Sequence, residues 1–146
     1  RERTGALTMV AAEADHAQAL LSDAKKIARV IYSNPPAHGA LVVKTILENG
    51  ELTKLWEQEL ATMRNRIHDM RKAFVDGMAA RTEKRDFSFL LHQHGMFSFS
   101  GLDKQAVDTL REQYSIYIVG SGRINVAGIT PANVDYLCDA VTEVLR

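Results

Sequence analysis

Three arginines occupy positions where a charged side chain could bind an anion. Arg3 lies at the edge of a predicted buried strand, Arg29 lies in the last turn of a predicted helix, and Arg123 follows the glycine-rich residues 120–122 at the entry to a predicted strand. The planar guanidinium group matches a carboxylate or a phosphate with two parallel hydrogen bonds, and glycines let the backbone approach a ligand closely. The pattern therefore predicts anion recognition.

Each arginine also has a simpler interpretation. Any of them could form an ordinary surface ion pair, and Arg29 could simply interact with the negative end of its helix. No competing site stands out, because residues 120–122 are too short for a dinucleotide fingerprint, which needs G-x-G-x-x-G between a strand and a helix. His92 and His94 lie two residues apart on a predicted strand, but the histidines lack partners at metal-ligand spacing.

The composition is that of an ordinary globular protein and argues against several classes. Eighteen basic residues balance eighteen acidic residues in a chain of 146, which argues against a nucleic-acid partner. No apolar run approaches the roughly 20 residues that span a bilayer, so no membrane partner is expected. The single cysteine, Cys138, excludes an intramolecular disulfide, and its apolar helical surroundings predict a buried side chain.

Helices dominate the predicted first part of the chain. Residues 4–12 are apolar and uncharged, which is typical of a buried strand. A helical spacing of apolar residues follows over 15–31 and ends before Pro35 and Pro36, since proline lacks the backbone donor and restricts the preceding residue. A short helix is predicted over 39–47.

The longest predicted element is a helix over 51–80, about 45 Å long at 1.5 Å per residue. Its apolar stripe alternates steps of four and three, as in Trp56, Leu60, Met63, Ile67, Met70 and Phe74. The charged residues are expected to form mostly a solvated face, with a binding patch as the alternative. They are Arg64, Arg66, Arg71 and Lys72.

The second part of the chain is predicted to be an α+β unit, in which helices cover one face of a small sheet. Period-two patterns predict strands over 87–92, 96–100, 115–119 and 124–127. One helix is predicted over 103–114, with Asp103 or a neighbour as its cap. A last helix is predicted to begin with Thr130 as its N-cap and Pro131 in its first turn.

Four short segments carry a family resemblance. They read ERTGA at 2–6, YSNPPAHGA at 32–40, GMFSFSG at 95–101 and SGRINVAG at 121–128. They resemble motifs of the class I aminotransferases, in the bacterial form of the aspartate and aromatic amino acid branch. The motifs occur in family order with family-like spacing, and the similarity extends over essentially all 146 residues.

The resemblance implies binding roles for five residues. Arg3 matches the arginine that binds the phosphate of pyridoxal 5′-phosphate, and Arg123 matches the arginine that holds the substrate α-carboxylate. Arg29, marked by Ser33, matches an arginine that reaches across a dimer interface to the distal carboxylate of a dicarboxylic substrate. Phe97 resembles a residue that lines the substrate side of the pocket.

The resemblance also implies a fold and an activity. The implied fold is α/β, the fold-type I of pyridoxal-phosphate-dependent transferases. Residues 1–57 would be the C-terminal end of the large cofactor-binding domain, 58–146 would be the small C-terminal α+β domain, and the long helix would link them. The implied protein is a cytoplasmic homodimer that moves an amino group between aspartate, glutamate or an aromatic amino acid and a 2-oxo acid.

No catalytic residue is expected within the chain itself. The resemblance places the Schiff-base lysine a few residues upstream of Arg1. It places the aspartate that pairs with the pyridine nitrogen and the aromatic residue that stacks on the ring in the earlier part of the large domain. Two other interpretations are therefore open. The polypeptide could be a truncated, non-catalytic module that is inactive alone, or it could come from another fold-type I enzyme such as a decarboxylase or lyase.

Overall fold

The computed structural model describes residues 3–146, so the motif that begins at Glu2 is described from Arg3 onward. The chain divides into two compact units, Arg1–Glu57 and Gln58–Arg146. Helix α3, Gly50–Ala79, contains residues of both units. No helix in the described part of the chain is both long enough and apolar enough to cross a membrane.

The first unit is helical, as its apolar spacing predicts. Helix α1 spans Ala14–Tyr32 and helix α2 spans His38–Glu48. The predicted stop before the two prolines is confirmed, since the Ser33 N–H donates to the Arg29 carbonyl at 3.1 Å and ends α1. Asn49 ends α2 and begins α3, because its side-chain oxygen accepts from two backbone N–H groups of the next helix.

The predicted strand over residues 4–12 is wrong. These residues form no helix or strand, and all are exposed except the half-buried Ala11. A strand needs a partner for its backbone N–H and C=O groups, and the described residues offer only a two-stranded sheet in the second unit. Helices α1 and α2 likewise contain no buried residue, so the first unit has no core of its own.

The second unit contains the core. Its further elements are a 3₁₀ helix over Ser88–His92, strand β1 over Phe97–Phe99, helix α4 over Lys104–Tyr114, strand β2 over Arg123–Asn125, a 3₁₀ helix over Val126–Gly128 and helix α5 over Val134–Val144. The predicted Asp103 cap is confirmed, since its carboxylate accepts from the Ala106 N–H at 2.8 Å. The largest fully buried apolar side chains are Met78, Leu90, Leu110, Val107, Val126, Val141 and Cys138.

The predicted strand over 87–92 is wrong, because Ser88–His92 form a 3₁₀ helix with Phe87 as its N-cap. The Asp86 carboxylate accepts from both the backbone N–H and the hydroxyl of Ser88, at 2.7 and 2.6 Å. Phe87 and Leu90 are the buried residues of this segment. A separation of three residues places both on one side of a 3₁₀ helix. Both side chains can therefore pack in the core without a strand partner.

Two further boundaries differ from the prediction. Residues 115–119 form no strand, because α4 ends with Ser115 in the left-handed region, at φ 55°, and the Ile116 N–H donates back to the Leu110 carbonyl. The last helix begins after Asn133 and not after Thr130. Asn133 instead binds the preceding turn, accepting from the Thr130 N–H and donating to the Gly128 carbonyl.

Helices α3 and α5 approach closely at Gly77. A Cβ atom added there would lie 2.8 Å from the Cys138 sulfur, so only glycine leaves room for this contact. The Cys138 side chain is fully buried, which confirms the prediction from its apolar surroundings. Beyond the end of α3, Arg81 donates to Asp139 at 2.6 Å and to Asp135 at 2.9 Å, which joins the same two segments.

Cys138 is expected to resist alkylation in the native chain. Burial raises the pKa of its thiol from 9.0 to about 11, although Arg81 partly opposes the shift. The two-unit difference lowers the reactive thiolate fraction near pH 8 about a hundredfold, and burial also blocks the reagent. Mass spectrometry after iodoacetamide treatment should show no adduct in buffer and one adduct in urea. Rapid labelling in buffer would contradict the buried placement.

Candidate functional site

Arg123 and Phe97 lie together on the exposed face of the β1–β2 sheet. The two strands are antiparallel, with Phe99 opposite Arg123 and Phe97 opposite Asn125. The Arg123 guanidinium carbon lies 5.0 Å from the centre of the diagonal Phe97 ring, within the range of a cation–π interaction. The ring therefore lies beside the guanidinium group, and Arg123 itself is exposed.

The burial pattern of β1 is the reverse of the usual one, because its serine is buried and its phenylalanines are exposed. Ser98 is fully buried, whereas Phe97 and Phe99 are 48% and 57% exposed. Ser98 faces inward opposite the buried Ile124, and it accepts from Arg71 at 3.4 Å. The predicted strand is therefore confirmed at this position, but its two aromatic rings face the candidate site and not the core.

The turn before Arg123 is built around Gly122. This residue has a φ of +77°, a conformation that favours glycine. Its carbonyl accepts from the Ser100 N–H at 2.9 Å and from the Ser100 hydroxyl at 2.7 Å. The same hydroxyl accepts from the Leu102 N–H, so the backbone that leads into Arg123 is fixed to the residues that follow β1.

Arg3 lines a cavity within the first unit. The cavity has a volume of about 350 Å³, and its wall includes Gly5, Tyr32, Pro35, Pro36, Gly39 and Ala40. Gly5 has no heavy atom within 4 Å of the position where a Cβ would lie, so the backbone beside Arg3 is open. An exposed guanidinium group next to open backbone can receive an anion.

Arg29 and Ser33 lie one turn apart at the end of α1. The Arg29 side chain is exposed, and its backbone carbonyl accepts from the Ser33 N–H. Ser33 has a φ of 62°, which residues other than glycine rarely adopt. Backbone in such a region costs of order 1–3 kcal/mol, so its presence here marks a position that the surrounding structure must impose.

The alternative of ordinary surface ion pairs is not observed. Among residues 3–146, no carboxylate lies within ion-pair distance of Arg3, Arg29 or Arg123. The structure brings Arg123 together with Phe97, and it places Arg29 beside Ser33. All three guanidinium groups therefore remain available for an anion from outside the described chain.

The expectation of a solvated charged face on α3 is wrong for Arg71, whereas Arg66 is exposed but hydrogen-bonded to backbone. Arg71 is only 4% exposed and donates to the Gly95 carbonyl at 2.6 Å. Arg66 donates to the Ala127 carbonyl at 3.2 Å and to the Ile129 carbonyl at 2.9 Å. The burial of Arg71 could have been predicted from the sequence, since Arg71 lies four residues after Ile67 and therefore on the apolar side of the helix.

Metal binding has no candidate in the described part of the chain. No three His, Cys, Asp or Glu side chains between residues 3 and 146 lie close enough to hold an ion. His92 ends a 3₁₀ helix and His94 follows it, so the strand on which they were expected to form a pair does not exist.

The sequence of the chain is similar to those of aminotransferases. The family model for aminotransferases of class I and II matches residues 1–141. Over 144 residues, the chain is 53% identical to an aspartate aminotransferase of Salmonella typhi and 53% identical to one of Escherichia coli strain K12. These alignments cover 99% of this chain, which spans 36% of the length of either relative.

The structure of the chain is also similar to that of a solved aminotransferase. The aromatic-amino-acid aminotransferase from Burkholderia pseudomallei, covalently bound to pyridoxal phosphate, superposes with a TM-score of 0.84 at 45% sequence identity. The match covers 90% of this chain and 33% of that one.

Proposed function

The chain belongs to the family of class I and II aminotransferases, and from this premise we propose an activity for the whole protein. It transfers an amino group between aspartate, glutamate or an aromatic amino acid and a 2-oxo acid, with pyridoxal 5′-phosphate as cofactor. The observation that carries the proposal is the outward-facing Arg123, supported by Phe97 and unpaired with any carboxylate among residues 3–146.

The expected fold class, α/β of fold-type I, is confirmed by the superposition on an aminotransferase of known structure. We further propose that residues 1–57 are the C-terminal end of the large cofactor-binding domain and that 58–146 are the small C-terminal domain. The buried core supports the second assignment, because it lies entirely between Phe74 and Val141. The exposed apolar residues of α1 and α2 support the first, since such surfaces are normally covered.

The residues present fit a phosphate-bearing cofactor at one position. Arg3 supplies a fork of donors beside an open cavity in the first unit, and no carboxylate in the described chain neutralises it. We assign Arg3 to the cofactor phosphate. When bound, pyridoxal phosphate supplies the electron sink for chemistry at the substrate α-carbon.

This chain contributes anchoring, and no proton-transfer group is assigned within it. Arg123 would bind the substrate α-carboxylate with two parallel hydrogen bonds, and Phe97 would fix the guanidinium plane from one side. Arg3 would fix the cofactor at its phosphate. Each anchor restricts rotation of the group that it binds, which lowers the entropic part of the barrier.

Arg29 would select the substrate side chain. We propose that the protein is a homodimer and that Arg29, positioned by the turn at Ser33, binds the distal carboxylate of a dicarboxylic substrate in the partner subunit. The exposed, unpaired guanidinium group supports this assignment. We place the protein in the cytoplasm, since its single described cysteine is a buried free thiol, which suits a reducing compartment.

The activity is tested directly with the whole protein. Aspartate and 2-oxoglutarate should yield glutamate, and the rate should depend on the concentration of both substrates. Release of carbon dioxide or ammonia from aspartate without a need for 2-oxoglutarate would instead indicate a decarboxylase or lyase of the same fold.

Replacing Arg29 by alanine should separate the two substrate classes. Loss of a buried guanidinium–carboxylate pair costs about 2–5 kcal/mol, so kcat/KM for aspartate should fall about a hundredfold. An aromatic substrate has no distal carboxylate and should lose little. Lys25→Ala, one turn earlier on the exposed surface of α1, serves as the control and should change neither value. Equal losses for both substrates in Arg29→Ala would exclude Arg29 as the selector.

A further inference from the structure

Helix α3 holds one end of the β1–β2 sheet through two arginines. Arg71 donates to the Gly95 carbonyl at 2.6 Å, just before β1, and Arg66 donates to the Ala127 and Ile129 carbonyls at 3.2 and 2.9 Å, just after β2. Because the strands are antiparallel, the start of β1 and the end of β2 lie at the same end of the sheet. The Val126 N–H donates to the Met96 carbonyl and closes this end.

Arg71 makes its hydrogen bonds to Gly95 and Ser98 from a buried position. Arg71 is only 4% exposed, and no carboxylate among residues 3–146 lies within ion-pair distance of it. Burial lowers the pKa of Arg71, which reflects the cost of desolvating its charge. An apolar side chain would fill the same space without that cost. The arginine provides instead directed bonds to the Gly95 carbonyl and, more weakly, to the Ser98 hydroxyl.

The end of the sheet that α3 contacts also contains Phe97, which lies beside Arg123. Phe97 is the first residue of β1, and the Arg123 guanidinium carbon lies 5.0 Å from the centre of its ring. Ser98, which Arg71 contacts, is the neighbour of Phe97 and points to the opposite face of the sheet. A shift of β1 along or away from α3 would therefore move the ring that supports Arg123.

We propose that Arg66 and Arg71 are positioning residues for substrate binding, which fix this end of the sheet to α3 and so hold Phe97 beneath the guanidinium group of Arg123. The proposal rests on the proposed role of Arg123 as the ligand of the α-carboxylate. All amino acid and 2-oxo acid substrates carry that carboxylate. The loss of either arginine should therefore affect acidic and aromatic substrates equally, unlike the loss of Arg29.

The test uses Arg66→Ala in the whole protein, because Arg66 is exposed and its removal leaves no cavity in the core. Arg64→Ala is the matched control, since Arg64 is an exposed arginine of the same helix and makes no hydrogen bond to the sheet. In Arg66→Ala, KM for aspartate and for phenylalanine should rise by the same factor, about tenfold, which corresponds to the net loss of one to two hydrogen bonds. We expect kcat to change by less than about threefold, as for the removal of uniform binding.

Hydrogen exchange provides a readout that does not depend on activity. Backbone amides in peptides covering 96–100 and 122–127 should exchange about tenfold faster in Arg66→Ala than in Arg64→Ala, since the sheet end opens more often. Arg71→Lys retains the charge but loses the planar fork, and it should act in the same direction.

The outcomes distinguish this proposal from the proposed function. If Arg66→Ala exchanges faster but keeps its KM, the contact is purely structural and the positioning role is overturned. Unchanged exchange in Arg66→Ala also overturns the positioning role. If Arg66→Ala shows both effects, the positioning role is supported. If the wild-type protein exchanges no amino group, or if Arg123→Ala leaves KM unchanged, the proposed function fails, and the positioning role, which rests on it, is overturned with it.

Discussion

Replacing Arg123 by alanine in the whole protein is expected to lower kcat/KM by about thirty-fold to several thousand-fold for every substrate. The reason is that a carboxylate binding this position would lose a bidentate partner, which costs about 2–5 kcal/mol in comparable pairs. Arg123 carries no competing ion pair within residues 3–146, and its ring contact with Phe97 is the interaction that the structure shows for its guanidinium group. Steady-state kinetics with aspartate and with an aromatic amino acid measure the effect.

Two further variants sharpen the Arg123 experiment. Arg123→Lys keeps a positive charge but cannot form the planar two-bond fork, so it should recover only part of the lost affinity. Arg111→Ala removes an exposed arginine from α4 and should leave the kinetics unchanged. A large loss with aspartate and none with the aromatic substrate would assign Arg123 to the side-chain carboxylate, contrary to our proposal.

Replacing Gly122 by alanine is expected to destabilise the second unit and to weaken substrate binding at the same time. Gly122 has a φ of +77°, and an added Cβ would lie 2.6 Å from the Leu102 carbonyl oxygen. The conformation costs about 1–2 kcal/mol for a residue with a side chain, and relieving the backbone clash should cost about 1–3 kcal/mol more. Urea unfolding of the 146-residue chain should show a lower midpoint, and KM of the whole protein should rise because the backbone before Arg123 must move.

Gly120→Ala is the matched control for this experiment. Gly120 lies two residues earlier in the same turn, has no positive φ and has no heavy atom within 4 Å of the Cβ position. Its replacement should change the free energy of unfolding by less than about 0.5 kcal/mol. Similar unfolding midpoints for the two variants would contradict the close contact between Gly122 and Leu102.

The limits of the first four α-helices followed from the sequence, because a helix depends on contacts between residues near in the chain. The apolar spacing predicted α1, α2, α3 and α4 within one or two residues at each end, and Pro35 and Pro36 marked the end of α1. The four motifs identified the family and pointed to Arg3, Arg29, Ser33, Phe97 and Arg123, whose individual roles stay predictions. Cys138 was correctly expected to be buried.

Tertiary structure alone decided which faces are buried and which distant groups meet. Alternation in β1 showed that serines and phenylalanines lie on opposite faces, but only the packing of α3 against the sheet turned the serines inward and the rings outward. The apolar residues 4–12 have the composition of a strand but no described strand to pair with. The apolar residues Phe87 and Leu90 reach the core of the second unit through a 3₁₀ helix and not through a strand. Arg66 and Arg71 bind carbonyls more than twenty residues away. Local periodicity specifies which side chains share a face, whereas the partner that covers the face comes from elsewhere in the fold.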